Sequence, residues 1–332
     1  MVIVLKDKWL WDSWYARDGE TWHAFFLQAD TSLKDPRLRH RHVSIGHAVS
    51  RDLVDWTHLG PCFAPSSGPA FDDATTWTGS VVQDAAGLWH LFYTGTSKAE
   101  DAKVQRIGHA VSHDLHDWQR VGSGLCLDLT GPQAAAYETA FTPGHWYERA
   151  MRDPWVMPDP DGAGWLMVFT ARAAGRDEAN DGGAIGLATS KDLYHWTLEP
   201  PVFTGGFGHL EVPQVFEIQG RWYCLFCCGP GELSRAERET WGEPPAPGTH
   251  YLIADHPRGP WQRAPGPFLD SGNRGNRYAG RMLEHEGLKL LGFSRGEPGH
   301  FIGEITDPDP VVVDAGGLLR LLLPARLEED RP

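Results

Sequence analysis

Apolar and polar positions alternate along this chain in short, aromatic-rich runs that are without helical period. Runs rich in aromatic and aliphatic residues stand at 23–27, 88–93, 165–169, 222–226 and 288–293. An earlier strand-like segment and a turn precede them, as where Gly79-Ser80-Val81-Val82-Gln83 leads into Asp84-Ala85-Ala86-Gly87. A recurring text follows them. The stretch 45–56, Ile-Gly-His-Ala-Val-Ser-Arg-Asp-Leu-Val-Asp-Trp, returns at 107–118 and more loosely at 185–196. It has drifted at 251–261, and at 301–307 it keeps only a strand and its acidic turn. Five units of about 65 residues, each of about four strands, predict an all-β fold. The expectation is a single five-bladed β-propeller over 1–332, with antiparallel strands in each blade and no C-terminal β-sandwich.

The repeated residues themselves read as structural. An Asp after Ser at a strand end, as in Asp52, Asp114 and Asp192, bonds nearby backbone amides, while the following Leu and Trp pack between blades. A reaction at one axial site cannot need several equivalent Asp residues, so function is expected where the blades differ. Asp12 lies 40 residues before Asp52, Asp153 lies 39 before Asp192, and Glu211 lies 44 before Asp255. All three then stand near the start of a blade's first strand, the strand that lines a propeller's channel, and converge at one mouth of it. Blade two has Trp77-Thr78 at this place, and blade five has 278–281.

Converging carboxylates repel, so one keeps a proton near neutral pH and can act as an acid. Trp11, Trp14 and Trp155 stand beside them, and an indole face suits the apolar face of a sugar ring. A glycosidase is the natural reading of this set.

Composition narrows the partners. The chain holds 44 acidic against 30 basic residues, a net charge of −14, which disfavours nucleic acid and anionic membrane as partners. No apolar run is long enough for a membrane span, and the start at 1–6 is too short for a signal-peptide core, so the expected location is cytoplasmic. The five cysteines, Cys62, Cys126, Cys224, Cys227 and Cys228, are an odd number without paired metal-ligand spacing and read as free thiols. No metal and no cofactor is expected. His40 and His42 read as part of a solvated, Arg-rich loop, and Asp72-Asp73 or Asp177-Glu178 could hold a calcium ion without the spacing demanding it.

The motifs resemble those of the β-fructofuranosidase superfamily, glycoside hydrolase families 32 and 68. Trp11-Asp12-Ser13-Trp14 resembles the nucleophile motif of the levansucrases, and 45–56 is similar to a Gly-His-Ala-Val-Ser segment of the invertases. Phe26-Leu27-Gln28, Trp77-Thr78-Gly79-Ser80, Arg152-Asp153-Pro154 and Glu211-Val212-Pro213 resemble further family motifs in the right order, as does 277–279. The resemblance implies Asp12 as nucleophile, Glu211 as acid/base and Asp153 as transition-state stabiliser. It also implies that Trp11, Gln28, Trp77, Ser80 and Arg152 bind the substrate, a small carbohydrate such as sucrose or a short fructan. The implied mechanism is retaining, through a covalent fructosyl-enzyme, with hydrolysis and fructosyl transfer both open. Two other readings of the same residues stay open: an inverting arabinofuranosidase or xylosidase resembling family 43, and a noncatalytic sugar-binding propeller.

Overall fold

Five antiparallel sheets follow one another along the chain in a computed structural model that describes residues 2–162, 164–241 and 247–323. Blade one is built from the strands Lys8–Asp18, Thr21–Asp30, Ser44–Ser50 and Thr57–Phe63, paired in chain order. Blade two (75–127) and blade three (151–204) repeat this four-stranded meander. Blades four and five have five strands each. In blade four both Gln262–Arg263 and Asp270–Ser271 pair with Gly248–Ala254, and Pro265 and Pro267 stand between them. A proline has no N–H to give to a ladder, so one outer strand becomes two short ones. In blade five both His300–Ile305 and Asp309–Val313 pair with Leu288–Glu297, with Pro308 in the break. Ile3 exchanges backbone hydrogen bonds with Ile305, so the start of the chain closes onto the last blade.

The repeated text is explained by this packing. Asp52 Oδ1 accepts the backbone N–H groups of Val54 and Asp55, Asp114 accepts those of His116 and Asp117, and Asp192 accepts those of Tyr194 and His195. Each turn holds the next Leu (53, 115, 193) at φ between 61° and 68°, a conformation a branched side chain rarely adopts. Each of these leucines is fully buried, and packing offsets the strain. The repeated Trp reaches the preceding blade: Trp118 meets Phe25 edge-on at 5.9 Å, and Trp196 meets Phe92 at 5.4 Å. Gly46, Gly108 and Gly186 let an aromatic ring of the neighbouring strand (Phe26, Tyr93, Phe169) lie against bare backbone, where a Cβ would collide with it.

The innermost strands position the site. Each pairs with its neighbour through a β-bulge at the same level, with one extra residue: between Trp11 and Ser13, Trp77 and Gly79, Arg152 and Trp155, Glu211 and Gln214, and Tyr278 and Arg281. A bulge turns a side chain out of the alternating pleat, and Asp12, Thr78 and Asp153 thereby line one cavity, whereas Val212 and Ala279 stay in the core. Asp153, Val212 and Ala279 take up the bend at φ of 55°, 54° and 52°.

Candidate active site

The five bulges place three layers of side chains around one axis. Before the bulge stand Trp11, Trp77, Arg152, Glu211 and Tyr278, in the bulge stand Asp12, Thr78, Asp153, Val212 and Ala279, and after it stand Ser13, Gly79, Trp155, Gln214 and Arg281. Asp12 and Asp153 are therefore equivalent, but Glu211 belongs to the layer of Trp11 and Arg152. The spacing argument that gave all three one equivalent place is corrected here by one residue. The interval in blade four, 44 residues against 40 and 39, is longer because a turn and the short helix Arg235–Trp241 are inserted between two of its strands, and it does not report this offset. Convergence survives the correction, because Asp12, Asp153 and Glu211 all line one cavity of about 340 Å³ at the channel mouth.

Trp11, Trp77 and Arg152 line the same cavity. Gln28 and Ser80 do not. The Ser80 hydroxyl, buried between blades, accepts the Val156 N–H at 3.1 Å, and Gln28 packs on Gly46 with its amide donating to Ser44 Oγ at 3.3 Å. Both point away from the axis because strand side chains alternate, and the bulge falls at Thr78 and not at Ser80. Thr78 takes the place on the wall that Ser80 was expected to fill.

Arg152 is the hub. Its guanidinium donates to Glu148 Oε1 at 2.5 Å and to Glu211 Oε1 at 2.8 Å, and its Nε lies 3.4 Å from Asp153 Oδ2. Asp153 Oδ2 also accepts the Thr170 hydroxyl at 2.9 Å and the Val212 N–H at 3.1 Å. Asp12 Oδ2 accepts the Thr78 hydroxyl at 2.6 Å. Glu211 Oε2 accepts the Tyr278 hydroxyl at 2.6 Å and lies 3.2 Å from His209 Nε2, which in turn lies 3.0 Å from Glu232 Oε2.

This environment separates the carboxyls electrostatically. Burial pushes Asp12 up to about 7, the neighbouring charges of Asp153 and Glu211 add to this, and the Thr78 hydrogen bond opposes it. Asp153 is raised by burial and the Glu211 charge, against the pull of Arg152. Burial also acts against ionisation of Glu211, but the charges of His209 and Arg152 and the Tyr278 hydroxyl outweigh it and hold this carboxyl below its ordinary value. His209 is raised by Glu211 and Glu232 in spite of its burial.

Several wall residues were not foreseen. Glu148 and Tyr147 come from the long connection before blade three, His209 from the segment before Glu211, and Glu232 from a short turn after the strand Arg221–Cys228. Glu148 stands four residues before Arg152 and His209 two before Glu211, a proximity that could have marked them. Nothing in the sequence marks Tyr147 or Glu232. His40, expected in a solvated loop, is exposed as expected and also sits on the 3₁₀ turn Pro36–Arg41 at the cavity edge, where its ring meets Trp11 edge-on at 5.7 Å and its carbonyl accepts the Trp77 indole N–H. Asp72, considered for calcium, is fully buried, and its oxygens accept the Ser66 and Tyr93 hydroxyls and Arg120 Nε. Among the described residues, no group of three or more His, Cys, Asp or Glu side chains is placed to hold a metal ion, and no helix is long and apolar enough to cross a membrane.

Fold and cavity together define a five-bladed propeller with an axial site built from carboxylates, arginine and aromatic rings. The chain belongs to glycosyl hydrolases family 32: residues 14–242 match the model of that family's N-terminal domain. Among curated proteins it is 30% identical to a levanase of Bacillus sp. (strain L7) over 52% of this chain and 18% of that protein. It is 28% identical to the raffinose invertase of Escherichia coli over 64% of this chain and 45% of that protein. The chain thus spans less than half the length of either relative. An extracellular sucrase of Zymomonas mobilis aligns more fully, at 25% identity over 96% of this chain and 82% of that protein. Among solved structures, the inulosucrase from Halalkalicoccus jeotgali bound to kestose shares the fold with a TM-score of 0.77, at 23% identity over 99% of this chain and 92% of that one. The levansucrase from Gluconacetobacter diazotrophicus does so with a TM-score of 0.72, at 17% identity over 96% of this chain and 81% of that one.

Proposed function

We propose that this chain cleaves or transfers β-fructofuranosyl units of sucrose or a short fructan, through a covalent fructosyl-enzyme, with its catalytic site formed by the single propeller. The observation that carries the proposal is the meeting of Asp12 and Glu211 on one cavity wall with the Arg152–Asp153 pair beside them. Asp12 attacks the anomeric carbon, Glu211 protonates the leaving oxygen and later activates the acceptor, and Asp153 stabilises the charge that develops on the fructosyl ring. A retaining displacement of this kind uses carboxyls about 5–5.5 Å apart. Arg152, Trp11 and Trp77 hold the sugar. Water as the second acceptor gives hydrolysis, and a further sugar gives transfer.

The proton inventory has a consequence for rate. Cleavage needs Asp12 ionised and Glu211 protonated, whereas the surrounding protein groups favour the reverse, with Asp12 raised and Glu211 lowered. The reactive form therefore carries its proton on the carboxyl that is lowered and its charge on the one that is raised. Location in the cytoplasm is part of the same proposal and is supported by five cysteines that are all unpaired.

The test is sugar release from sucrose, inulin, levan, nitrophenyl arabinofuranoside and nitrophenyl xyloside, beside an Asp12→Asn control. Fructose release or transfer that falls by at least about 10³-fold in the control supports the reading. Cleavage of the arabinoside or xyloside alone overturns it.

A further inference from the structure

Below the carboxylates, the layer after the bulge contains Ser13, Gly79, Trp155, Gln214 and Arg281. Blade five alone places a charge there. Arg281 is 1% exposed, and its guanidinium reaches the inner strands of three other blades. Nε donates to Ser13 O at 3.2 Å in blade one, and Nη1 donates to Pro213 O at 2.9 Å and Val212 O at 3.3 Å in blade four. The carbon between them lies 5.4 Å from the centre of the Trp155 ring in blade three.

The accepting carbonyls are those next to the reacting groups. Ser13 follows Asp12, and Val212 and Pro213 follow Glu211. One rigid, planar fork therefore spans the backbone that carries Asp12 and the backbone that carries Glu211. Its Nη2 has no hydrogen-bond partner among the described residues.

We propose that Arg281 is a positioning residue that sets the separation of the Asp12 and Glu211 carboxyls by bridging their strands from below. The proposal rests on the fructosyl-transfer reading above for its kinetic consequence, but the spacing itself is a property of the fold. Charge alone does not supply this span. A lysine keeps the positive charge and has three donors, but they sit on one nitrogen at the end of a flexible stem and lack the planar fork whose separate nitrogens reach the two strands.

The experiment compares crystal structures, thermal stability and sucrose kinetics of the wild type, Arg281→Lys and Arg281→Met. The expected result is a change of more than about 1 Å in the Asp12 to Glu211 carboxyl separation in both variants. With it, kcat falls about 100-fold or more while KM stays within about threefold, since a misplacement of that size costs about 10² in rate. A separation unchanged in a folded variant overturns the proposal, as does wild-type kcat in Arg281→Lys. Failure of both variants to fold assigns the residue to stability and also overturns it. A wild type that releases no fructose defeats the functional reading alone, and the measured separation still decides the role of Arg281.

Discussion

The Thr78 hydroxyl donates a 2.6 Å hydrogen bond to Asp12 Oδ2 across the boundary between blades two and one. It opposes the burial and the two neighbouring charges that raise Asp12 to about 7. A donor to a carboxylate favours the ionised form, so its loss raises the carboxyl further. Thr78→Val is expected to move the basic limb of the kcat/KM profile upward by about one pH unit and to lower kcat about tenfold, because less Asp12 is ionised at neutral pH. A pH–rate profile of both proteins checks this, and an unmoved basic limb counts against Asp12 as the group that titrates there.

Glu211 can be tested apart from Asp12 by changing the leaving group. Glu211→Gln is expected to lose about 10²–10⁴-fold of kcat on sucrose, the usual range for a missing general acid. On β-fructofuranosyl fluoride, whose leaving group needs no proton, the first step should recover to within about tenfold of wild type. Equal losses on both donors would remove the acid role from Glu211.

The histidines of the repeat make a separate prediction about stability. His23 and His47 share a 2.9 Å hydrogen bond, as do His90 and His109, and His47 and His109 stack on Phe25 and Phe92. Burial, with further histidine charges, holds His47 and His109 down at about 3, against an ordinary 6.5. The unfolded chain therefore binds more protons below about 6.5, and stability falls as pH drops from there towards 3. Between pH 7.5 and pH 5 each of the two should cost about 1–2 kcal/mol. Urea unfolding at the two values checks it, and His47→Gln should flatten the slope.

The acidic turns are expected to matter for folding and not for chemistry. Asp114→Ala removes two backbone hydrogen bonds that hold the turn and is expected to cost about 1–2 kcal/mol. Activity per folded molecule should stay within about twofold. A large loss of kcat in stable protein would place this turn in communication with the site.

How much of this was legible in the chain depends on the range of the interaction. The repeat 45–56 and its copies fixed the blades because the Asp turn, the Gly beside an aromatic ring and the Trp between blades are each local or nearest-neighbour contacts, repeated until they show as a period. The carboxylates were readable for the related reason that they interrupt that period. Tertiary structure alone decided the rest. A bulge adds one residue without a sequence signature, and that single residue turned Thr78 to the cavity, left Ser80 holding Val156, and set Glu211 one layer from Asp12 and Asp153. His209, Glu232 and Tyr278 are 23 or more residues apart yet serve Glu211 together, as Arg281 serves Asp12 and Glu211 from the last blade. His209 is a chain neighbour of Glu211, but Tyr278 and Arg281 come from the last blade, and their contacts exist only once blades four, five and one stand side by side.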